Sequence, residues 1–349
     1  MGQAVDVDED RAMMREAIAL AAAARGQTSP NPWVGCVIVP PGEQPAALGA
    51  TQPPGGPHAE AVALELAGTS AAGAVAYVTL EPCSHHGRTP PCADALIAAG
   101  VRRVVVGVVD PDPRVRGAGI ARLEAAGVEV TLGVCGDEVS DQLAPYMKHR
   151  TTGRPWVVLK LAASLDGRTA APDGTSQWIT GPLARADAHR LRAESDAILV
   201  GAGTVRADDP SLTVRLGPDV PGAALRQPKR VVLGRIPDGA RVRPALEMSG
   251  DLGQVLDHLG ADDVVQLLVE GGASVAHDFH AAGLVDRYVL YLAPVVFGGD
   301  DGRPVFAGPG AASIDDVWRG RVVSVERLGE DVRIELAAAS AAATASAAA

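Results

Sequence analysis

The chain has 349 residues, 47% of them hydrophobic, with 42 acidic against 31 basic side chains and a net charge of −11. That length exceeds one ordinary core and predicts two domains, while the acidic balance argues against a nucleic-acid partner, which needs clustered Lys and Arg. Four cysteines make no disulfide framework, which points to a reducing compartment and a cytoplasmic location.

The first residues, MGQAVDVDEDRAMM, are acidic without an apolar signal core, and no run reaches the ~18–20 apolar residues of a membrane span. Neither a leader nor a membrane partner is expected. Residues 8–25 pattern as a helix, with Asp8 or Asp10 as its cap and Gly26 past its end. WVGCVIV (33–39) reads as a strand closed by Pro40-Pro41-Gly42. A helix is expected from Pro57 to about Gly68, then a buried strand at 74–80 and a helix from Pro91 to Gly100. A strand at 102–109, a helix near 117–126 and a strand at 128–134 complete an alternating series. Such alternation predicts a mostly parallel sheet flanked by helices. The polar stretch 136–155 reads as a connecting helix and linker.

A second α/β pattern follows. Strands are expected at 156–163, 197–201, 230–234 and 264–272, with helices at 182–195, 251–260 and 273–282. RYVLYLAPVVF (287–297) reads as one long strand, and VVSVERL with DVRIEL as a terminal hairpin. The halves show no mutual repeat. The expected division is 1–149 and 150–338, with 339–349 a disordered Ala-rich tail.

Chemistry-bearing residues concentrate in PHAEAVALE and TLEPCSHHGRTPPC. His58, Cys83 and Cys92 offer one imidazole and two thiolates, a donor set suited to zinc. His58 and Cys92 are expected at helix starts and Cys83 just after a strand, places that can converge on one edge of an α/β sheet. Helix starts also favour a thiolate. Three protein ligands leave a position for water, whose pKa zinc lowers to roughly 7. Glu60, two residues from His58, can face that water without binding metal and relay its proton to a departing amine. The plainer alternative is that these are core thiols and a chance His-x-Glu. Cys36 and Cys135, which lack such company, are read as core thiols.

His-x-Glu followed by Pro-Cys and a later Cys is the signature of zinc deaminases, although eight residues rather than two separate the cysteines here. With EPCSHHGRTPPC and TSPNPWVGCVIV (28–39), the first half resembles the deaminase part of the bifunctional riboflavin-biosynthesis deaminase–reductase family. The loop residues His85, His86 and Arg88 are candidates to meet a ribose phosphate, a solvated loop being the alternative. LKLAASLDGRTA, SQWITG, ILVGAGTVRADDPSLTVR and LLVEGGASVA resemble the reductase part, so the resemblance spans about residues 9–336.

The resemblance implies a cytidine-deaminase-like three-layer α/β/α domain followed by a dihydrofolate-reductase-like α/β domain. GAGTVR lacks the third glycine of a Rossmann fingerprint, so that fold is not expected. Carried over by motif, Ala162, Trp178, Thr204, Asp208 and the turn Gly271-Gly272-Ala273-Ser274 would contact NADPH. Ser176, Arg192, Leu212, Arg215 and Glu270 would contact substrate, the two arginines gripping its phosphate; a solvated surface charge is the plainer alternative for each arginine. Arg235 stands where family members often carry serine and is a candidate for the cofactor's 2′-phosphate. The segment between Gly234 and Asp251 is short for the family, so a strand near Ala245–Met248 is expected to be cut to a few residues.

The implied function is zinc-dependent hydrolytic deamination of a 2,5-diamino-6-(ribosylamino)pyrimidinone 5′-phosphate, then NADPH-dependent reduction of its ribosyl group to ribityl. The partner is thus a small phosphorylated ribosylaminopyrimidine, with homo-oligomerisation left open. Two rivals stand beside this. A nucleic-acid base deaminase would share the zinc chemistry but give no reason for the second half's motifs. A non-enzymatic zinc-binding module would close the metal with a fourth protein ligand.

Overall fold

The computed structural model describes residues 7–84, 91–113, 115–216 and 226–338. Expectations for His85, His86, Arg88 and the tail 339–349 lie outside these residues. The chain forms two compact units, Met1–Arg154 and Pro155–Ala349.

The first unit runs α1 (Val7–Ala24), β1 (Gly35–Val39), β2 (Ala47–Ala50), α2 (Ala59–Ala67), β3 (Val75–Leu80), α3 (Cys92–Ala98), β4 (Arg103–Val108), α4 (Ala118–Ala125), β5 (Glu129–Leu132) and α5 (Gly136–Thr152). The sheet order is β2-β1-β3-β4-β5. Only β3–β4–β5 is parallel, because β2, unforeseen in the sequence, forms an antiparallel hairpin with β1, which also runs antiparallel to β3. Met14, Ala17, Ala21 and Ala24 make the buried stripe of α1, at helical spacing. The contact is so close that a Cβ on Gly35 would sit 1.8 Å from the Ala17 carbonyl oxygen. Asp10 lies within α1 rather than capping it: it is 3% exposed and pairs with Arg103 at 2.7 Å. Cys36 is buried as expected, whereas Cys135 is half-buried in the turn before α5.

The second unit runs β6 (Trp156–Ser164), β7 (Arg168–Ala170), α6 (Pro182–Ala193), β8 (Ala197–Gly201), α7 (Ala202–Asp208), β9 (Lys229–Leu233), β10 (Leu246–Met248), α8 (Leu252–Ala261), β11 (Gln266–Val269), α9 (Ala273–Ala281), β12 (Arg287–Ala293), β13 (Arg303–Pro304), β14 (Gly320–Leu328) and β15 (Asp331–Ala338). Its main sheet is ordered β10-β9-β8-β11-β6-β12-β15-β14. The first six strands are parallel and the terminal hairpin antiparallel. Both faces are buried: Val157, Leu159 and Leu199 pack toward α8 and α9, while Val158, Ile198 and Val200 pack toward α6. Continuous apolar strands such as AILVG follow from that double burial. β10 has the three residues the short segment allows. β12 stops at Ala293 before Pro294, leaving Val295, Val296 and Phe297 outside it and 40–64% exposed.

Candidate active sites

In the first unit, the ends of β3 and β4 meet the starts of α2 and α3. His58 is the residue before α2, in extended backbone, with no side-chain cap bond. Cys83 follows β3, and Cys92 opens α3. The Cys92 N–H donates to Cys83 Sγ at 3.3 Å, and the Ala93 N–H to the Cys83 carbonyl at 3.1 Å. The helix start thereby holds the loop and its thiol in place.

His58 Nδ1 lies 3.7 Å from Cys83 Sγ and 3.4 Å from Cys92 Sγ, and the three ligand atoms fall within 4.8 Å of one another. Tetrahedral zinc, with bonds of about 2.0–2.1 Å to nitrogen and about 2.3 Å to sulfur, sets N and S about 3.6 Å apart. The observed spacings straddle that value, so the donor set fits the ion. Of the two thiols, Cys83 is the one held ready to ionise. The hydrogen bond between them pulls Cys83 down to about 4 and pushes Cys92 up. The hydrogen bond with Cys83 also raises His58.

Glu60, in the first turn of α2, is 4% exposed. Burial, reinforced by the Cys83 charge, pushes its carboxyl up to about 7. It lines a cavity of about 240 Å³ together with His58, Cys83, Asn31, Asp110 and Tyr146. A carboxyl of that pKa can both accept and return a proton near neutrality. The opposite wall escaped the sequence reading, apart from Asn31 in the TSPNPWVGCVIV stretch. Asp110 and Asp112 come from DPDP after β4, and Tyr146 and Arg150 from α5. Tyr146 donates to Asp110 Oδ2 at 3.2 Å, and burial raises the Asp110 pKa. The stretch expected to be a connecting helix and linker is mostly the helix α5, which also furnishes site residues.

The second unit holds a cleft of about 1080 Å³ over the ends of β6, β8, β9 and β11. Ala162, Thr204, Asp208, Arg235 and the turn Gly271–Ser274 all line it, as do Ser176 and Glu270. The Gly272 N–H donates to Thr204 Oγ1 at 3.1 Å, tying the turn after β11 to α7. Two helices thus start at this cleft, with N–H groups suited to phosphate oxygens. A Cβ on Gly271 would come 2.6 Å from Val275, so the turn stays open only with glycine. These features fit a dinucleotide cofactor.

Four expected contact residues are not among those lining this cleft. Trp178 is outside the cleft, 69% exposed, with Arg185 4.7 Å above its ring. Leu212 is 3% exposed and belongs to the core on the α6 side, its apolar side chain being worth more there than against a polar ligand. The fork of Arg192, expected on a phosphate, grips Glu270 at 2.6 and 2.9 Å and also donates to the Thr213 carbonyl. Arg215 does fold back beside α6: its N–H reaches His189 Nδ1 and its guanidinium holds Ser211 and Thr213. A residue missed by the sequence reading is Lys160 on β6, with Nζ 3.9 Å from Glu270. Burial lowers its pKa. A lysine amid LKLAAS, at a strand position otherwise apolar, was the available signal.

Comparisons with known proteins cover both units. Residues 155–334 match the family described as the RibD C-terminal domain, and residues 7–108 match the cytidine and deoxycytidylate deaminase zinc-binding region. The chain is 42% identical to the riboflavin biosynthesis protein RibD of Escherichia coli K12, over 95% of this chain and 100% of that one. It is 45% identical to that of Mycobacterium tuberculosis, over 90% and 93%. The solved structure of Acinetobacter baumannii RibD superposes with a TM-score of 0.89 at 38% identity, covering 96% of this chain and all of that one. A Thermotoga maritima diaminohydroxyphosphoribosylaminopyrimidine deaminase/5-amino-6-(5-phosphoribosylamino)uracil reductase gives 0.84 at 34%, covering 95% and 99%. With relatives matching along nearly its whole length, the chain belongs to the RibD family of bifunctional riboflavin-biosynthesis enzymes, which join a zinc-dependent deaminase to an NADPH-dependent reductase.

Proposed function

We propose that His58, Cys83 and Cys92 hold the zinc ion, that Glu60 moves the protons of deamination, and that the cleft of the second unit seats NADPH against the ribosyl end of the substrate. The observation that carries this reading is the convergence of one imidazole and two thiols, at zinc spacing, beside the buried Glu60 carboxyl in a single cavity. The substrate is the 2,5-diamino-6-(ribosylamino)pyrimidinone 5′-phosphate that membership of this family implies.

Zinc, when bound, acts as a Lewis acid that makes water nucleophilic at neutral pH. Glu60 would accept a proton from the attacking water at a carboxylate oxygen and return it to the leaving amino nitrogen, so that water enters and ammonia departs. Asp110, Asp112 and Tyr146 border the same space and orient the ring and sugar.

In the second unit NADPH supplies the hydride. The turns at Gly203–Thr204 and Gly271–Ser274 orient its pyrophosphate through backbone N–H groups. Arg235, where β9 ends, stands on the adenosine side and takes the 2′-phosphate. Glu270, held by Arg192, and Ser176 face the sugar. Arg215 remains for the substrate phosphate, while Arg192 acts through Glu270.

We assign residues 1–149 to the deaminase and 150–338 to the reductase, with the division between compact units falling a few residues later. A cytoplasmic setting suits the four unpaired cysteines. The test is a coupled assay with the diaminopyrimidine substrate and NADPH. Ammonia and NADP⁺ should appear in a one-to-one ratio, and the second only after the first. Reduction that proceeds without ammonia release would sink the order of steps.

A further inference from the structure

One buried carboxylate that lines the same cavity has no part in the chemistry above. Glu81, the residue after β3, is 4% exposed. It accepts four backbone N–H groups. Oε2 takes those of Asp110 at 3.2 Å and Gly117 at 2.9 Å, and Oε1 those of Gly119 at 2.9 Å and Ile120 at 3.4 Å. The last three belong to the start of α4, whose own capping residue is Gly117, at φ 78° and without a side chain to offer. A helix start ordinarily finds its acceptor in its own Ser, Thr, Asp or Asn. Here the acceptor comes from the residue that follows β3.

The clamp reaches the cavity. Asp110 and Asp112 are each 6% exposed and line the same space as His58 and Glu60. Glu81 fixes the Asp110 N–H, and Asp110 Oδ1 in turn accepts the Asp112 N–H at 2.8 Å. The fit is close on the other side as well: a Cβ on Gly119 would lie 1.9 Å from the Pro82 carbonyl oxygen. The strand end that carries Cys83 and the segment that walls the substrate space are therefore joined through one side chain.

We infer that Glu81 is a positioning residue of the deaminase: it holds the described part of this segment, residues 110–113 and 115–119, as the substrate wall and so sets substrate affinity. This rests on the assignment of the His58 cavity as the deaminase site. The groups that do chemistry sit on α2, α3 and the end of β3, not on that segment. A loosened wall therefore costs binding before it costs the chemical step.

The experiment is deaminase kinetics on Glu81→Gln, with zinc content and reduction of already deaminated substrate measured on the same samples. The amide leaves one oxygen for four donors and turns an NH₂ group toward the rest. The expected result is a KM higher by roughly 10- to 100-fold, kcat within about threefold of wild type, full zinc and normal reduction. Gly117→Ala, whose methyl would meet no atom within 4 Å but would strain the positive φ, should raise KM in the same sense. It decides the matter if Glu81→Gln yields no folded protein. Wild-type KM in both variants overturns the inference, as does a fall in kcat with loss of zinc, which would make Glu81 part of the metal site. Glu60→Gln separates the two failures: if that variant still deaminates, the site assignment is wrong rather than the role of Glu81.

Discussion

Arg192 on α6 sets Nε and Nη2 against the two carboxylate oxygens of Glu270, at 2.6 and 2.9 Å, beneath the reductase cleft. Both side chains are largely buried, and Lys160 stands 3.9 Å from the same carboxylate. Burial alone would raise the Glu270 pKa, but the Arg192 fork and the Lys160 charge outweigh it and the net shift is downward. Glu270 therefore stays ionised where it faces the cleft.

Removing that fork has a defined cost. Arg192→Ala leaves a buried carboxylate without its main partner, and destabilisation of about 3–5 kcal/mol is expected. Because the folded-state pKa of Glu270 is depressed, the pair's stabilisation is fully present above the ordinary glutamate value of about 4.3 and is lost as pH falls through the folded value. Chemical denaturation of the wild type from pH 7 to 3 should show that loss. The variant, whose Glu270 keeps the burial that raises its pKa and loses the fork that lowers it, should show a flatter or reversed curve. Equal pH slopes in the two proteins would contradict the pairing.

The zinc donors should fail separately from the proton carrier. Cys83→Ser removes the thiol poised to ionise at about 4, and metal analysis should find far less than one zinc per chain. Deamination should fall with it, while reduction of an already deaminated substrate continues. A stoichiometric zinc ion in Cys83→Ser would remove this residue from the ligand set.

Coenzyme choice should rest on the adenosine side of the cleft. Arg235 and Arg206 both line it, and a charge-assisted contact to phosphate is worth about 1.5–3 kcal/mol. Arg235→Ala should weaken 2′,5′-ADP and NADPH by on the order of ten- to a hundredfold and leave NADH nearly unchanged. Calorimetric titration with NADPH and NADH reads this without turnover. An equal loss for both would place Arg235 elsewhere on the cofactor.

Arg215 is the cation assigned to the substrate phosphate. Arg215→Ala should erase the preference for phosphorylated over dephosphorylated substrate in the reductase reaction, with deamination spared. A slower enzyme that keeps its preference would give this arginine a purely structural role.

The cluster of His58, Cys83 and Cys92 was legible in the sequence because each residue sits at an element boundary marked by local signals: Pro57 before His58, the apolar run before Cys83, Pro91 before Cys92. The opposite wall was not. Asp110 and Asp112 sit in a turn whose composition reads as an ordinary loop, and Tyr146 and Arg150 reach the cavity only through the packing of α5. The strand β2 escaped because ALGA has little strand propensity and is defined by its partner β1. The short helix α7 escaped because Gly201 precedes it and Gly203 lies in its first turn, residues of poor helix propensity. The arginines taught the opposite lesson. Residue type and motif suggested a phosphate for Arg192, but a carboxylate 78 positions away took the fork, a long-range pairing that no local pattern encodes.

The account stands most directly on one variant, Glu60→Gln, assayed for zinc, ammonia release and reduction of deaminated substrate. The carboxyl that burial holds at about 7 would become an amide unable to carry a proton. The account predicts full zinc, a loss of deamination of roughly 10²- to 10⁴-fold, and reduction at the wild-type rate. A folded, zinc-loaded variant that still releases ammonia at the wild-type rate, or that loses both activities together, would contradict it.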